Sequence, residues 1–101
     1  MMYYIYILYS ESSDKYYVGY SSDPFRRLNE HNKSLLSTYT SKHRPWDLKA
    51  IYSCGDNKTL AIELERFIKK QKSRKLIQSL IEGQILTGVL AQLVKVPHVR
   101  D

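Results

Sequence analysis

The sequence lacks the features that mark several common classes of protein. Its single cysteine, Cys54, cannot form an internal disulfide and excludes a zinc site built from several cysteines. No apolar run approaches the ~20 residues that a membrane-spanning helix needs. The N-terminal residues carry no basic stretch of a secretory signal. Gly-rich phosphate loops and the GxSxG and HExxH motifs do not occur either. These absences favour a reducing, cytoplasmic setting.

Length and charge narrow the possibilities further. A chain of 101 residues has room for one domain with a modest core. Its formal net charge of +6 and its pI near 9.5 favour polyanionic partners, because a basic surface attracts phosphates and releases counterions on binding. Many small basic proteins bind no nucleic acid specifically, so charge alone does not decide the function. Seven of the nine tyrosines precede residue 21.

These tyrosines fall in a predicted β-hairpin. Residues 3–9 (YYIYILY) and 15–20 (KYYVGY) are rich in aromatic and β-branched residues, and the intervening SESSD has turn chemistry. If Tyr9 pairs with Asp14 across a four-residue loop, Tyr6 lies opposite another tyrosine, Tyr17. The pleat then places both tyrosines on one face of the hairpin and the aliphatic residues on the other.

A first helix begins after this hairpin. Asp23 followed by Pro24 predicts a helix start, with Asp as the N-cap and Pro at the first helical position. We expect this helix to end at about Asn32. Arg27 and His31 are four residues apart and therefore lie on the same side of it.

A second helix is predicted for residues 59–71, and a shorter third one for residues 76–81, stopped near Gly83. The apolar arc of the second helix holds Leu60, Ala61, Leu64, Phe67 and Ile68. Glu65 falls at the edge of that arc, and Lys69 lies just beyond it. Residues 66–75 contain six basic residues and no acidic one.

These elements predict an α+β fold. A third strand at residues 47–53 joins the hairpin in a three-stranded, mainly antiparallel sheet, flanked by about three helices. We expect one domain over residues 1–83. Residues 84–101 have apolar residues without a clean period, and we expect a tail that is either docked or frayed.

Five residues on these elements form a spaced pattern. The string YIY ends at Tyr6, and YVG begins eleven residues later at Tyr17. Arg27 follows ten residues after that tyrosine, and His31 four residues later. An AxxxE string then ends at Glu65. In this order the set resembles the signature of the GIY-YIG nucleases, although each residue alone has an ordinary structural explanation.

Shorter strings strengthen the resemblance. The YT at residues 39–40, the RPWDL at 44–48 and the IK at 68–69 are similar to the small stand-alone bacterial members, which are related to the excinuclease C N-terminal domain. The resemblance covers about residues 2–80. One departure is the triplet at residues 4–6, which reads YIY where the family has GIY.

The resemblance implies a metal-dependent hydrolysis of phosphodiester bonds. One Mg²⁺ or Mn²⁺ ion on Glu65, with several waters, would polarise the phosphate, since hard cations favour oxygen ligands. Arg27 can donate to two phosphate oxygens at once. The general base is open between Tyr6, Tyr17 and His31: a free tyrosine titrates near about pH 10 and needs help, whereas a free histidine titrates at about 6.5.

Further residues are candidates for phosphate contact: Tyr20, Arg26, Tyr39, Lys42 and Lys69. The expected partner is DNA, with RNA not excluded, and we expect neither a membrane nor a small-molecule cofactor as partner. The natural role for this family is repair or processing of DNA. We expect no second domain that would supply specificity, and nothing in the sequence chooses between branched, nicked, single-stranded and duplex substrates or fixes the oligomeric state.

Two other functions compete with this one. The first is a non-catalytic nucleic-acid-binding module on the same fold, which would use the basic stretch and the tyrosines as a phosphate track and stacking platform. Glu65 argues against it, because a carboxylate beside a binding face repels phosphate. The second is a structural or protein-interaction domain, which predicts no salt-dependent affinity for DNA.

Overall fold

The fold is α+β, as predicted, but the sheet has one more strand than expected. The computed structural model describes residues 1–35, 39–84 and 86–97. Within these residues the chain forms, in order, β1 Tyr4–Ser10, β2 Lys15–Ser21, α1 Pro24–Lys33, a short 3₁₀ helix Thr40–His43, β3 Asp47–Ser53, α2 Lys58–Gln71, α3 Arg74–Glu82, a second 3₁₀ helix Gly88–Gln92 and β4 Val94–Val96. The strands are antiparallel in the order β2-β1-β3-β4.

The hairpin of β1 and β2 forms in a different register from the predicted one. Ser10 pairs with Lys15, and Tyr6 lies opposite Gly19 rather than opposite Tyr17, so the predicted register was wrong by two residues. β1 continues to Ser10 because its buried hydroxyl accepts a hydrogen bond of 3.3 Å from a backbone amide of the turn. A slip of two residues preserves the faces of a strand. Tyr6 and Tyr17 therefore still share one face, with ring centroids 6.3 Å apart.

The sheet carries a core on each face. One face packs α2 and α3 against aliphatic residues of the strands, with a buried cluster that includes Ile5, Ile7, Val18, Ala61, Leu64, Ile68 and Leu80. The other face packs α1 through Leu28 against a second cluster of Tyr6, Leu8, Trp46, Leu48 and Ile51. Because β2 is an edge strand, side chains from α1 and α2 can meet around its free edge.

The helix boundaries follow their capping residues. The side chain of Asp23 accepts a hydrogen bond of 3.1 Å from the amide of Arg26, as expected of an N-cap. Ser73 caps α3 in the same way, so this helix begins two residues before the predicted start. Lys72, with φ of 49°, ends α2 in the left-handed region and turns the chain directly into α3. Among the described residues, no helix is long and apolar enough to cross a membrane.

The tail docks on the domain over its described residues. Leu90 and Leu93 are buried in the core cluster shared with α2 and α3. β4 then pairs with β3, with Val96 opposite Ile51. This fourth strand corrects the predicted three-stranded sheet: three residues are too few to show the alternation by which a strand is recognised. Residues 98–101 of the predicted tail lie outside the described part of the chain.

Candidate active site

An open cleft of about 510 Å³ lies at the free edge of β2, where α1 and α2 approach each other. Four of the five residues in the spaced pattern line it: Tyr6, Tyr17, Arg27 and Glu65. We call it the edge cleft. Its walls come mainly from β1, β2, α1 and α2, so Tyr6 and Glu65, which are 59 positions apart in the sequence, face one space. The fifth residue, His31, lies behind Tyr6.

Tyr6 is held by its neighbours on both sides. Its ring is 1% exposed, and its hydroxyl is 3.0 Å from Nε2 of His31. On the opposite strand lies Gly19, where an added Cβ would be 2.5 Å from Cζ of Tyr6. The glycine of the YVG string is therefore required by the close approach of the Tyr6 ring. Burial raises the pKa of Tyr6 to about 12, and the nearby Tyr17 makes a smaller contribution in the same direction.

His31 is a buried, neutral imidazole with both nitrogens occupied. Nδ1 is 2.9 Å from Oγ1 of Thr40, and Nε2 contacts the Tyr6 hydroxyl. Burial away from solvent lowers the pKa of His31 to about 4, and the positive charge of Arg27 makes a smaller contribution in the same direction. A neutral imidazole has one donor and one acceptor nitrogen. If Tyr6 donates to Nε2, then Nδ1–H donates to Thr40, and the ring orients the phenol from behind.

Arg27 projects from α1 into the edge cleft and is anchored by an acid that the sequence analysis missed. Its Nη1 donates to Glu30 at 2.6 Å, and Arg26 donates to the other carboxylate oxygen at 2.8 Å. The pKa of the Glu30 carboxyl is lowered, and the largest cause is the hydrogen bond from Arg27. The spacings of three and four residues could have identified this acid as a shared partner of both arginines.

Tyr17 lies at the centre of the site. Its ring is 4.8 Å from that of His31, and Nζ of Lys69 lies 5.2 Å above its ring centroid. Burial raises the pKa of the Tyr17 hydroxyl. Lys69 also lies 3.7 Å from the carboxylate of Glu65, whose side chain is 16% exposed. The basic stretch of α2 therefore reaches the site through Lys69.

Glu65 is the carboxylate best placed to hold a metal ion. The described residues contain no cluster of three or more His, Cys, Asp or Glu side chains that could bind a metal. A single carboxylate suits an ion that keeps most of its waters and takes the rest of its ligands from the substrate. Mg²⁺ binds in this way, through one or two carboxylates and phosphate oxygens. The donor set at the edge cleft thus fits one hydrated divalent cation.

The further candidates for phosphate contact are distributed around this cleft. Tyr20 and Arg26 line it directly. Tyr39 is 52% exposed and lines a second cleft, of about 680 Å³, which Tyr17, Arg27 and His31 also line. Lys42 is exposed on the first 3₁₀ helix and lines neither cleft. Lys58, which sequence analysis missed, lines the edge cleft from the start of α2, two helical turns before Glu65.

Comparison with known proteins shows the family to which the chain is related. The family model described as GIY-YIG catalytic domain matches residues 2–78. A UPF0213 protein of Haloquadratum walsbyi is 36% identical over 81 residues, which cover 79% of this chain and 88% of that protein. A UPF0213 protein of Fusobacterium nucleatum is 32% identical over 75 residues, covering 74% of this chain and 73% of that protein.

Longer proteins also match. The structure-specific endonuclease subunit SLX1 of Meyerozyma guilliermondii is 34% identical over 74 residues, which cover 68% of this chain and 25% of that protein. The chain thus spans about a quarter of the length of this relative. The family match covers most of the chain and includes every residue that faces the edge cleft beyond Met1. This chain belongs to the GIY-YIG catalytic domain family.

Proposed function

We propose that this protein is a metal-dependent endonuclease that hydrolyses phosphodiester bonds in DNA. The observation that carries the proposal is the convergence of Tyr6, Tyr17, Arg27 and Glu65 on one open cleft in a basic protein. The membership of a catalytic domain family supports it, as do relatives named endonuclease subunits. An open cleft suits a polymeric substrate, because the chain can pass through it without threading an end.

In the proposed reaction Arg27 binds the phosphoryl oxygens of the scissile group. Its guanidinium can fork onto two oxygens, and Glu30 fixes its orientation from the side of α1. Such donors stabilise charge that develops on the phosphoryl group in the transition state. Glu65, which lines the same cleft, would hold the metal ion. When bound, that ion supplies Lewis acidity and lowers the pKa of a coordinated water.

We assign the proton transfer from the attacking water to Tyr6. A phenol with a pKa of about 12 is protonated at neutral pH, so it can accept a proton only if it releases its own. The hydrogen bond to Nε2 of His31 provides that outlet: the water proton passes to the Tyr6 oxygen while the phenolic proton passes to Nε2. Because the pKa of His31 is about 4, the imidazolium forms only transiently, and the step depends on a water of lowered pKa, which the metal ion would supply. Tyr17, on the same face, orients the substrate. Among the described residues, no side-chain hydrogen bond links its hydroxyl to a group that could accept its proton.

A labelled panel of DNA structures incubated with Mg²⁺ or Mn²⁺ tests the proposal. We expect cleavage by the wild type, with Glu65→Gln and Arg27→Ala each reducing the rate by ~100-fold or more, since each removes charge stabilisation at the phosphoryl group. Glu63→Gln and Arg66→Ala are matched controls, because both side chains are exposed on α2 and line no part of the edge cleft. A Glu65→Gln variant that cuts as well as the wild type would overturn the assigned metal site.

A non-catalytic DNA-binding module is the second candidate. The 3.7 Å ion pair between Lys69 and Glu65 favours it, because it offsets the negative charge that would repel phosphate. This alternative predicts salt-sensitive binding of the panel without metal-dependent cutting. It also predicts that Glu65→Gln binds DNA as well as the wild type does.

Role and location follow from the same proposal. We propose repair or processing of DNA in the cytoplasm, and an RNA strand in the same panel tests the nucleic-acid class. At least three quarters of the length of these longer relatives has no match in this chain. The preferred DNA structure of this protein therefore has to be read from its own surface.

A further inference from the structure

A second groove, of about 290 Å³, opens beside the edge cleft, between β2 and the turn that joins α2 to α3. We call it the β2–α3 groove. Its polar and aromatic lining consists of Tyr16, Tyr17, Lys69, Lys72, Ser73 and Arg74, above the apolar side chains of the core. Tyr17 lines both this groove and the edge cleft, so the two spaces adjoin at this side chain.

The groove carries three cations, which differ in their partners. Lys69 lies 3.7 Å from Glu65. Arg74 forms an ion pair with Asp14 and donates to its backbone carbonyl at 3.2 Å. Lys72 has no ion-pair partner among the described residues, and the left-handed turn at its Cα places it between the two helices. Lys72 is thus the cation most available to an incoming phosphate.

The groove also presents aromatic surface. The guanidinium of Arg74 lies 4.9 Å from the ring centroid of Tyr16, and Asp14 holds it there. An arginine fixed over an aromatic ring offers its outer face to a nucleobase. Cations combined with stacking surfaces are typical of sites for single strands, because only unpaired bases expose their faces. A space of about 290 Å³ has the size of a small-ligand pocket and cannot enclose a duplex.

We propose that the β2–α3 groove binds an unpaired DNA strand next to the bond that is cut. Lys72 contacts a backbone phosphate of this strand, and the Tyr16–Arg74 pair stacks with one of its bases. The inference rests on the proposed nuclease function and adds its substrate class. DNA with a single-stranded arm at a duplex junction fits this groove and the adjoining edge cleft, which share Tyr17, better than uninterrupted duplex does.

Binding measured without divalent metal separates this groove from the chemistry. Fluorescence anisotropy compares an armed duplex with the same duplex lacking the arm, for the wild type, Lys72→Gln and Lys70→Gln. Lys70 is the matched control, because it is exposed two residues away, carries the same charge and does not line the groove. Glutamine and lysine have the same substitution at the β-carbon, so the Lys72→Gln change should not alter the backbone strain of the left-handed turn.

We expect the wild type to prefer the armed duplex. Lys72→Gln should weaken binding of the armed duplex by roughly 3- to 10-fold at low salt, and the slope of log affinity against log salt should fall by ~0.7, the value for one single-strand phosphate contact. Lys70→Gln should leave the arm preference unchanged. Arg74→Lys, which keeps the charge and loses the planar group, should reduce the arm preference by ~5-fold or more.

Two outcomes overturn the inference. Equal weakening of armed and plain duplex by Lys72→Gln would show that the groove contacts ordinary duplex backbone, and equal effects of the two lysine variants would show a diffuse charge effect. Cleavage assays with metal, run in parallel, test the proposed function separately. Metal-dependent cutting with no effect of Lys72→Gln rejects only the groove, whereas arm binding that depends on Lys72 without any cutting rejects only the nuclease.

Discussion

Replacing Gly19 with alanine tests whether the second motif exists to make room for Tyr6. The added Cβ would lie 2.5 Å from Cζ of Tyr6, whereas ordinary contact begins at 3.4 Å, so the ring or the strand must move by at least about 0.9 Å. Tyr6 is 1% exposed and has little free space to move into. Overpacking of this kind costs about 1–3 kcal/mol. In a domain of this size each kcal/mol lowers the melting temperature by about 4–8 °C.

The sign of the effect depends on the tyrosine, and this makes the prediction refutable. Alanine is otherwise better than glycine inside a strand by about 0.5–1 kcal/mol, because glycine loses more conformational entropy on folding. In a Tyr6→Leu background, which lacks Cζ and the hydroxyl, Gly19→Ala should therefore be neutral or stabilising. Thermal and denaturant unfolding of the four proteins in this double-mutant cycle measure the coupling. Equal destabilisation by Gly19→Ala in both backgrounds would refute the reasoning.

Catalysis should be more sensitive than stability to the same substitution. A displacement of about 0.9 Å is enough to stretch the 3.0 Å contact between Tyr6 and His31 beyond hydrogen-bonding distance. Misplacement of a reacting group by ~1 Å can cost ~100-fold in rate. Gly19→Ala should therefore lose most of its kcat at temperatures where circular dichroism shows it folded. Retention of full kcat would mean that Tyr6 does not take part through this geometry.

Three further predictions concern other parts of the molecule. The pKa of His31 is about 4 in the folded protein and 6.5 ordinarily, so as the pH falls the unfolded chain takes up this proton before the folded protein does. The contribution of the neutral imidazole to the free energy of unfolding is therefore complete above about pH 6.5 and decreases by up to about 3 kcal/mol toward pH 4. Urea unfolding at pH 7 and 4.5 should show this decrease in the wild type and much less of it in His31→Gln. Glu30→Gln should hardly change the melting temperature, because the ion pairs of Glu30 are exposed. It should raise the KM for DNA, because Arg27 is no longer held in place. An unchanged KM would contradict the anchoring role of Glu30. Leu90→Ala should cost about 2–4 kcal/mol in denaturant unfolding, because this side chain of the tail is buried in the core; a loss below about 1 kcal/mol would show that the tail is dispensable.

The sequence predicted those parts of the structure that depend on local signals. Asp23 and Pro24 located the start of α1 because capping is a property of adjacent residues. The hairpin, β3 and α2 were predicted from their alternation and helical period. The register of the hairpin was not, since it depends on where a buried serine hydroxyl finds a backbone donor. β4 was missed because it forms only by pairing with β3, which is distant in the sequence.

The candidate active site also combines features that follow from local sequence with features that depend on the tertiary structure. The spacing of the motif identified the residues that line the edge cleft, and the structure brings Tyr6, Tyr17, Arg27 and Glu65 to it. Their catalytic roles stay a prediction. The partners that orient them, Thr40 behind His31 among them, come from a loop whose position the sequence could not give. The burial that makes His31 a neutral imidazole is likewise a property of the assembled fold.

The short fourth strand also covers part of an edge of the sheet that would otherwise be open. Without it, the seven residues of β3 would present an open row of amides and carbonyls, which is a template for pairing with another chain. β4 covers only one end of that row, yet it places the charged Lys95 on the new edge and is followed at once by Pro97, which has no amide hydrogen to donate. A domain trimmed to residues 1–83 would lose this protection together with Leu90 and Leu93. The tail, which lies outside the sequence motif, thus covers part of a sheet edge that would otherwise be open to pairing.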